Sequence, residues 1–174
     1  LTGDGDSNIG DNGFVQGFDY IRPSIGVLKS TDGGATWQRT GDLGLTGFYV
    51  GYKLVQSPTN ATVLIAATSQ GLFRTANGGN TWTLVSPNSN RYYDIEWKPG
   101  SSTTVYACTG GVFYISTDGG VTFENSNANF DFSLYGQRTA IAVTPANANY
   151  VYVFANNGGA NVGVFRSTNS GTRF

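Results

Sequence analysis

The chain has 174 residues, of which 39% are hydrophobic and 14% aromatic, so it is long enough and apolar enough to bury one ordinary core. Its charged fraction of 12% is low for a soluble domain, and its 25 glycines indicate many turns. Ten basic and eleven acidic residues leave a net charge of -1, which excludes the positive field that gathers nucleic acid or an anionic membrane.

The numbers of histidine and cysteine residues limit the kinds of catalytic and metal site that the chain can form. The chain contains no histidine and one cysteine, Cys108, in the string VYACTG. These residues therefore exclude a nucleophile activated by histidine, a zinc site of the histidine and cysteine kind, and an intramolecular disulfide. We expect Cys108 to be a small buried residue of a strand, because free cysteine is among the most often buried residue types.

An eight-residue phrase occurs four times along the chain. The copies are STDGGATW, TANGGNTW, STDGGVTF and STNSGTRF, and they start at residues 30, 75, 116 and 167. Each copy has a Ser or Thr, then Asp or Asn, then Gly, then an aromatic residue. The acid or amide can bond to backbone N–H groups and fix a tight turn, and the glycine accepts a positive φ. The positions concerned are Asp32, Gly34, Trp37, Asn77, Gly79, Trp82, Asp118, Gly120, Phe123, Asn169, Gly171 and Phe174.

A second repeat runs between the copies of the phrase. Pro58, Pro99 and Pro145 each precede a run of β-branched or aromatic residues, as in QSPTNATVLIAAT. Each unit is therefore predicted to contain four strands, as in YVGYKLVQ, TVLIAAT, GLFRT and TWTLVS, with the phrase as the hairpin between the third and fourth. Four antiparallel strands every 40 to 50 residues are typical of one blade of a β-propeller, whereas a β-sandwich would not repeat its turn chemistry at a fixed period.

The phrase resembles the Asp-box, or BNR repeat, of sialidases, xyloglucan-degrading endoglucanases and sortilin. Together with the proline-led strand, and with TGDGD ahead of IGVLKSTDGG, it most resembles the Asp-box propellers of large bacterial proteins exported by type IX secretion. The fourth copy departs from the pattern, with Arg173 where Thr is expected. The resemblance implies an all-β fold of four-stranded antiparallel blades. It also implies that the boxes are scaffolding, on the outer strand pair and away from the face that binds ligands.

The spacing of the phrase sets the expected number of blades. We expect a partial blade at 1–47, blades at 48–89 and 90–137, and a partial blade at 138–174. Since propellers have roughly 4–8 blades, this incomplete portion of three to four blades cannot close a ring by itself. We therefore expect the rest of its own polypeptide, or neighbouring chains, to complete the propeller and cover its open sheet faces.

Two long segments are the candidate ligand-binding regions. They are residues 4–24 and 124–138, and the resemblance implies that both lie on the binding face. Aromatic rings among amide and carboxylate side chains suit sugar rings, and they suit a protein partner as well. Packing within the loops themselves is the alternative. The candidate residues are Phe14, Phe18, Tyr20, Phe130, Phe132 and Tyr135.

The first long segment also has a partial calcium pattern. Asp4, Asp6, Asn8 and Asn12 have the spacing of oxygen ligands in calcium loops, but Ile9 stands where such a loop needs glycine. A solvated turn is the alternative. We expect no other cofactor.

Catalysis by glycoside hydrolysis requires two carboxylates. Asp94 and Glu96 are two residues apart on a predicted first strand, so their side chains should point to the same face. In the repeat, Asp94 corresponds to Lys53 in the preceding unit. An ion pair between Asp94 and Lys53 is the interpretation that we favour over a catalytic pair.

The sequence thus predicts a non-catalytic propeller region of a larger secreted or cell-surface protein that binds glycan or protein through its long loops. The alternative is a portion of an Asp-box glycoside hydrolase of the xyloglucanase or sialidase type. A plain spacer is a third possibility. The sequence favours a non-catalytic role but does not decide whether the protein is an enzyme.

Overall fold

The computed structural model describes residues 24–45, 49–126, 138–157 and 160–174, and for 157 and 160–162 it describes the backbone alone. These ranges contain thirteen strands and no helix, and hence no helix that is long and apolar enough to cross a membrane. The strands are β1 Leu28–Lys29, β2 Gln38–Arg39, β3 Gly51–Gln56, β4 Leu64–Thr68, β5 Gly71–Thr75, β6 Thr83–Leu84, β7 Tyr92–Trp97, β8 Val105–Thr109, β9 Phe113–Ser116, β10 Glu124–Asn125, β11 Arg138–Val143, β12 Val151–Asn157 and β13 Ala160–Ser167.

The strands form four separate antiparallel sheets in chain order. The first sheet is the hairpin β1-β2, the second is β3-β4-β5-β6, the third is β7-β8-β9-β10 and the fourth is β11-β12-β13. Within each sheet, strands that are consecutive in the chain pair with each other, as in a propeller blade. The outermost strands β2, β6 and β10 are only two residues long and exposed, which limits the free edge that each sheet offers for aggregation.

In this meander, the turns and links of each sheet lie at the two ends of its strands. The turn from the first to the second strand and the Asp-box turn from the third to the fourth lie at one edge, which we call the box edge. The turn from the second to the third strand and the links between sheets lie at the opposite edge, which we call the link edge. In the second sheet, residues 57–63 and 76–82 lie at the box edge and residues 69–70 and 85–91 at the link edge.

The sheets pack face to face like vanes. The first strands β3, β7 and β11 contact one another in succession, so they form the inner side of the stack. Side chains of the second and third sheets, among them Ile65, Leu72 and Ile95, share one apolar cluster. Tyr106 and Phe113 of the third sheet pack with Val151 of the fourth in another. Because a middle sheet buries both faces, all five residues of β8 are buried, and the prediction of a partial β-propeller is confirmed.

The Asp-box turns have the predicted hydrogen bonds. In the third sheet, the Ser116 hydroxyl donates to Asp118 Oδ1 at 2.8 Å and accepts from Gly120 N at 2.9 Å. Asp118 in turn accepts from the Thr122 backbone N at 2.9 Å and from the Thr122 hydroxyl at 2.6 Å. One carboxylate therefore closes the turn that joins β9 to β10. The boxes at Asp32, Asn77 and Asn169 repeat the backbone part of this arrangement.

The fourth box folds although its sequence departs from the pattern. Asn169 Oδ1 accepts from Arg173 N at 2.9 Å, so the backbone bond survives the loss of the threonine. Ser170 replaces the first glycine and has a positive φ of 61°. Its hydroxyl donates to Asn149 Oδ1 at 3.0 Å and accepts from Lys98 Nζ at 2.8 Å. These bonds offset the strain of a side chain in the left-handed region.

The second glycine of a box is needed for packing as well as for the turn. Gly120 has a φ of 79°, and a Cβ there would overlap the side chain of Ile65 in the preceding sheet. A Cβ at Gly171 would meet Phe113 Cε1 at 2.8 Å. The glycine therefore lets the third and fourth boxes approach the sheet before them.

Hydrogen bonding shifts the acidity of two box carboxylates. The Thr36 hydroxyl and backbone N–H, with the Ser30 hydroxyl, lower the pKa of Asp32 from its usual 3.8 to about 2. Burial raises the pKa of Asp118, but hydrogen bonds from Thr122 and Ser116 outweigh that effect and lower it to about 2.

We predict that Asp118→Ala lowers the free energy of unfolding by about 1 to 2 kcal/mol, because it removes the acceptor of several turn hydrogen bonds. Asp118→Asn is the matched control and should cost much less, since Asn77 holds the equivalent turn in the second sheet. Urea denaturation measures both changes. An Asp118→Ala variant as stable as the parent would contradict this account of the box.

We also predict an acid-sensitive component of stability. A carboxylate with a folded pKa of about 2 and an ordinary value of 3.8 stabilises the fold fully above about pH 4, and this contribution is lost as the pH falls towards 2. The double variant Asp32→Asn, Asp118→Asn should lose less stability over that window. Thermal midpoints between pH 2 and pH 5 test this, and identical pH profiles for parent and variant would contradict it.

Candidate functional site

The inner strands bring the sequence-predicted carboxylates together with a lysine. Lys53 on β3 lies between Asp94 and Glu96 on β7, with Nζ 2.7 Å from Asp94 Oδ1 and 2.6 Å from Glu96 Oε1. The predicted ion pair is therefore confirmed, and it joins the second and third sheets. Since both carboxylates reach one ammonium group, their side chains share a face, as the spacing of two residues predicted.

Asp94 also joins the third sheet to the fourth. Its Oδ2 accepts a hydrogen bond from Ile141 N on β11 at 2.7 Å, and its Oδ1 accepts from Ile95 N at 2.8 Å. Asp94 is 8% exposed, so its charge is compensated almost entirely by these partners. One side chain thus links three consecutive sheets near the inner side of the stack.

The electrostatics of this cluster depend on Lys53. Burial lowers the pKa of Lys53, but the hydrogen bonds that Lys53 donates to Asp94 and to Glu96, together with the charges of both carboxylates, outweigh burial and leave the pKa above its usual value. Lys53 is therefore charged at neutral pH. The cluster of Lys53, Asp94 and Glu96 carries a formal charge of -1, since one cation faces two anions.

This geometry limits what the two carboxylates can do. Both oxygens of Asp94 have partners, and Glu96 shares the same lysine, with 28% of its side chain exposed. General acid and base roles need two carboxyl groups on opposite sides of a bound sugar, whereas these two face one cation. A catalytic role for Asp94 or Glu96 stays a prediction.

Sequence reasoning missed a pair of tyrosines at the link edge. Tyr52 and Tyr93 occupy equivalent positions of β3 and β7, and the register of each strand shifts at that residue, which marks a β-bulge. Their rings lie 5.1 Å apart at 61°, edge to face. The signal was present in the repeat, because GYKLVQ and YYDIEW place a tyrosine at the same point, but nothing in the period-2 pattern announces a bulge.

The other predicted site residues fall outside the described ranges. This applies to the candidate calcium ligands Asp4, Asp6, Asn8 and Asn12, and to the candidate ligand-binding residues Phe14, Phe18, Tyr20, Phe130, Phe132 and Tyr135. Within the described ranges, no group of three or more acidic, histidine or cysteine side chains is placed to hold a metal ion.

Cys108 behaves as the sequence predicts. It is 1% exposed, and its thiol donates to the Thr139 carbonyl oxygen at 3.6 Å. Burial raises the pKa of Cys108 to about 12, so the thiol stays protonated at neutral pH and cannot serve as a nucleophile.

Two grooves between neighbouring sheets lie away from the link edge. One, of about 350 Å³, lies between the third and fourth sheets and is lined by Lys98, Glu124 and Ser170. The other, of about 180 Å³, lies between the first and second sheets beside Gln56 and Trp82. Each borders an Asp-box, and in each the lining residues belong to blade junctions.

Comparison with known proteins supports the repeat and the fold. The BNR/Asp-box repeat model matches residues 28–39, which span the hairpin from β1 to β2. A xyloglucanase of Hypocrea jecorina is 32% identical over 150 residues, which cover 85% of this chain and 16% of that protein. A xyloglucanase of Acetivibrio thermocellus is 32% identical over 138 residues, covering 59% of this chain and 16% of that protein.

A solved structure of an ancestral GH74 enzyme has a TM-score of 0.71 and 27% identity, and the match covers 85% of this chain and 20% of that one. The chain therefore spans about a sixth of the length of the curated relatives that it matches. The predicted resemblance to Asp-box propellers and to xyloglucan-degrading enzymes is confirmed. The chain is an Asp-box β-propeller section similar to parts of xyloglucanases.

Proposed function

We propose that this chain is a section of an Asp-box propeller glycoside hydrolase that cleaves xyloglucan or a closely related β-glucan. The observation that carries the proposal is the 32% identity with a xyloglucanase over 85% of the chain. The match extends far beyond the eight-residue boxes, which are common to many propellers. It supports the hydrolase interpretation better than the non-catalytic interpretation that the sequence first favoured.

The proposal includes partners and location. Further blades of the same polypeptide would complete the propeller, because this chain matches only 16% of the relative's length. A polysaccharide substrate is too large to enter a cell, so the enzyme would act outside it. The near-neutral net charge of -1 is compatible with a neutral glycan, which has no charge for an electrostatic field to attract.

In the complete enzyme, this chain would form one side of the substrate cleft. Six acidic residues lie in the described ranges: Asp32, Asp42, Asp94, Glu96, Asp118 and Glu124. Asp32 and Asp118 close box turns, and Asp42 pairs with Arg39 at 3.3 Å. Among the six, Asp94 and Glu96 lie on an inner strand and share Lys53. We infer that at least one catalytic carboxylate lies outside the described ranges.

A binding region without catalysis is the second candidate. It is favoured by the ion pairs of Asp94 and Glu96 with Lys53, because these pairs occupy both inner carboxylates. The two candidates differ in turnover. A binding module would hold the glycan and release it unchanged.

We predict that the complete polypeptide releases oligosaccharides from xyloglucan and acts less on unbranched β-glucan. Reducing-end assays and product masses measure this, with sialosides as a comparator that tests the sialidase alternative. Binding of xyloglucan without product would favour the binding module instead. If the polypeptide neither binds nor cleaves any of these glycans, both candidate functions are refuted.

We further predict that Asp94 acts in stability. Asp94→Asn should lower the free energy of unfolding by about 2 to 3 kcal/mol, because an amide nitrogen would face the Lys53 ammonium group or the Ile141 N–H. The folded enzyme should keep most of its kcat. Glu96→Gln is the control and should cost less than about 1 kcal/mol, since Glu96 is more exposed than Asp94 and its ion-pair partner within the described part of the chain is Lys53.

Thermal unfolding and kcat on xyloglucan, measured on the same samples, separate the two roles. A drop in kcat of about 100-fold or more at an unchanged unfolding midpoint would assign Asp94 or Glu96 to catalysis and overturn this prediction.

A further inference from the structure

The bulged tyrosines Tyr52 and Tyr93 are the strongest candidate for a ligand-binding feature in the described ranges. Each lies near the start of the inner strand of its sheet, beside the turn from the second to the third strand. That position is the link edge, opposite the Asp-boxes. A bulge inserts one extra residue and turns its side chain away from the regular alternation, and bulges are frequent next to active sites.

The tyrosine rings form a joint surface across two blades. Their edge-to-face contact at 5.1 Å fixes the two rings relative to each other, and both side chains stay partly exposed. Arg91 is exposed and lies beside Tyr93, which raises the pKa of the guanidinium group. The link that precedes Arg91 contributes Asn88, whose Oδ1 accepts from the Tyr92 hydroxyl at 3.0 Å. An apolar platform thus lies beside a guanidinium group and an amide-rich link.

Blade packing alone does not require this arrangement. The equivalent position in the fourth sheet is Thr139, where β11 pairs with β12 without a register shift at that residue. Thr139 is 2% exposed and donates to the Thr109 carbonyl oxygen at 2.6 Å. The first strand of the fourth sheet therefore packs against the third sheet with neither a tyrosine nor a bulge of its own at this position. The two bulges with tyrosine need another explanation, which a ligand supplies.

The chemistry of the platform suits a sugar ring. Pyranose rings have apolar C–H faces that stack on aromatic rings and hydroxyl rims that accept hydrogen bonds from guanidinium and amide groups. Lys53 next to Tyr52 is paired with both Asp94 and Glu96, and the formal charge of -1 on this cluster would not repel a neutral glycan.

We propose that Tyr52 and Tyr93 form a platform for one backbone sugar of a β-glucan chain, with Arg91 bonding to the hydroxyls of that sugar. The inference rests on the proposed function, because it names a substrate contact of the same enzyme. It assigns substrate binding to the link edge within the described residues, independently of the two long segments.

The test uses the complete polypeptide and xyloglucan oligosaccharides as the probe, with calorimetry for binding and reducing-end release for turnover. Tyr52→Ala and Tyr93→Ala should each weaken binding about five- to tenfold and raise KM in parallel, while kcat changes little. Tyr52→Phe and Tyr93→Phe keep the rings and should bind nearly as well as the parent. Thermal midpoints identify any alanine variant that is unfolded, in which case Tyr93→Leu replaces it.

Tyr150→Ala is the matched control. Tyr150 is also a partly exposed tyrosine with an arginine beside it, Arg166, whose guanidinium carbon lies 5.5 Å from the ring centroid. It precedes β12 at the box edge, so its loss should leave binding and KM unchanged.

The outcomes separate the platform from the proposed function. If the parent cleaves xyloglucan but folded alanine variants bind it as well as the parent does, the platform is wrong and the function stands. If the parent does not cleave xyloglucan but binds another glycan in a glycan panel with the same tyrosine dependence, the function is wrong and the platform stands. If the parent binds no glycan, both are wrong.

Discussion

The structure depends on hydrogen bonds from each blade to a glycine carbonyl in the Asp-box of the next. Gly41 N donates to Gly79 O at 2.8 Å, and Arg74 Nε donates to Gly119 O at 3.0 Å. The Ser126 hydroxyl donates to Gly171 O at 3.1 Å. The box therefore does more than close its own hairpin, because the carbonyl groups of its buried glycines accept hydrogen bonds from the preceding blade. A Cβ at Gly79 would lie 3.1 Å from Thr40 Cβ, and a Cβ at Gly171 would lie 2.8 Å from Phe113 Cε1, so glycine at these two positions lets neighbouring sheets approach closely.

The third junction shows how a change in this system is compensated. Ile115 occupies the position in the third sheet that Arg74 has in the second, so the cation that spans the junction is missing. Lys98, from the turn between β7 and β8, takes its place and donates to Ser170 Oγ and Asn149 Oδ1. Ser170 stands where the other boxes have glycine. Its hydroxyl gives Lys98 an acceptor, so the serine and the lysine are explained together.

The boxes and most strands could be predicted because their physics is local. A serine, an aspartate and a glycine within five residues determine the turn between Ser116 and Gly120, whatever surrounds it. The full role of Asp94 could not be predicted, because its partner in the fourth sheet is the backbone N–H of Ile141, which no side-chain pattern reveals. The tyrosine platform was missed for a similar reason. A bulge depends on the register between strands, whereas the sequence displays only the order along one strand.

The box edge and the link edge of the sheets are under different structural constraints, and this difference indicates which of them carries the binding surface. At the box edge, three of the turns present a glycine carbonyl to the blade before them, and the Asp-box is eight residues long in all four copies. The connections from one sheet to the next cover residues 40–50, 85–91 and 126–137 of the sequence, and they share neither length nor sequence. Gly41 and Ser126, at the start of two of these connections, take part in the inter-blade bonding, whereas the sequence that follows differs from one connection to the next. A scaffold that fixes one edge and leaves the other free can change its ligand without changing its fold. The tyrosine bulges lie at the link edge, on the inner strands that the ion-pair cluster of Lys53, Asp94 and Glu96 holds together. A binding surface on rigid strands is positioned more precisely than one on loops.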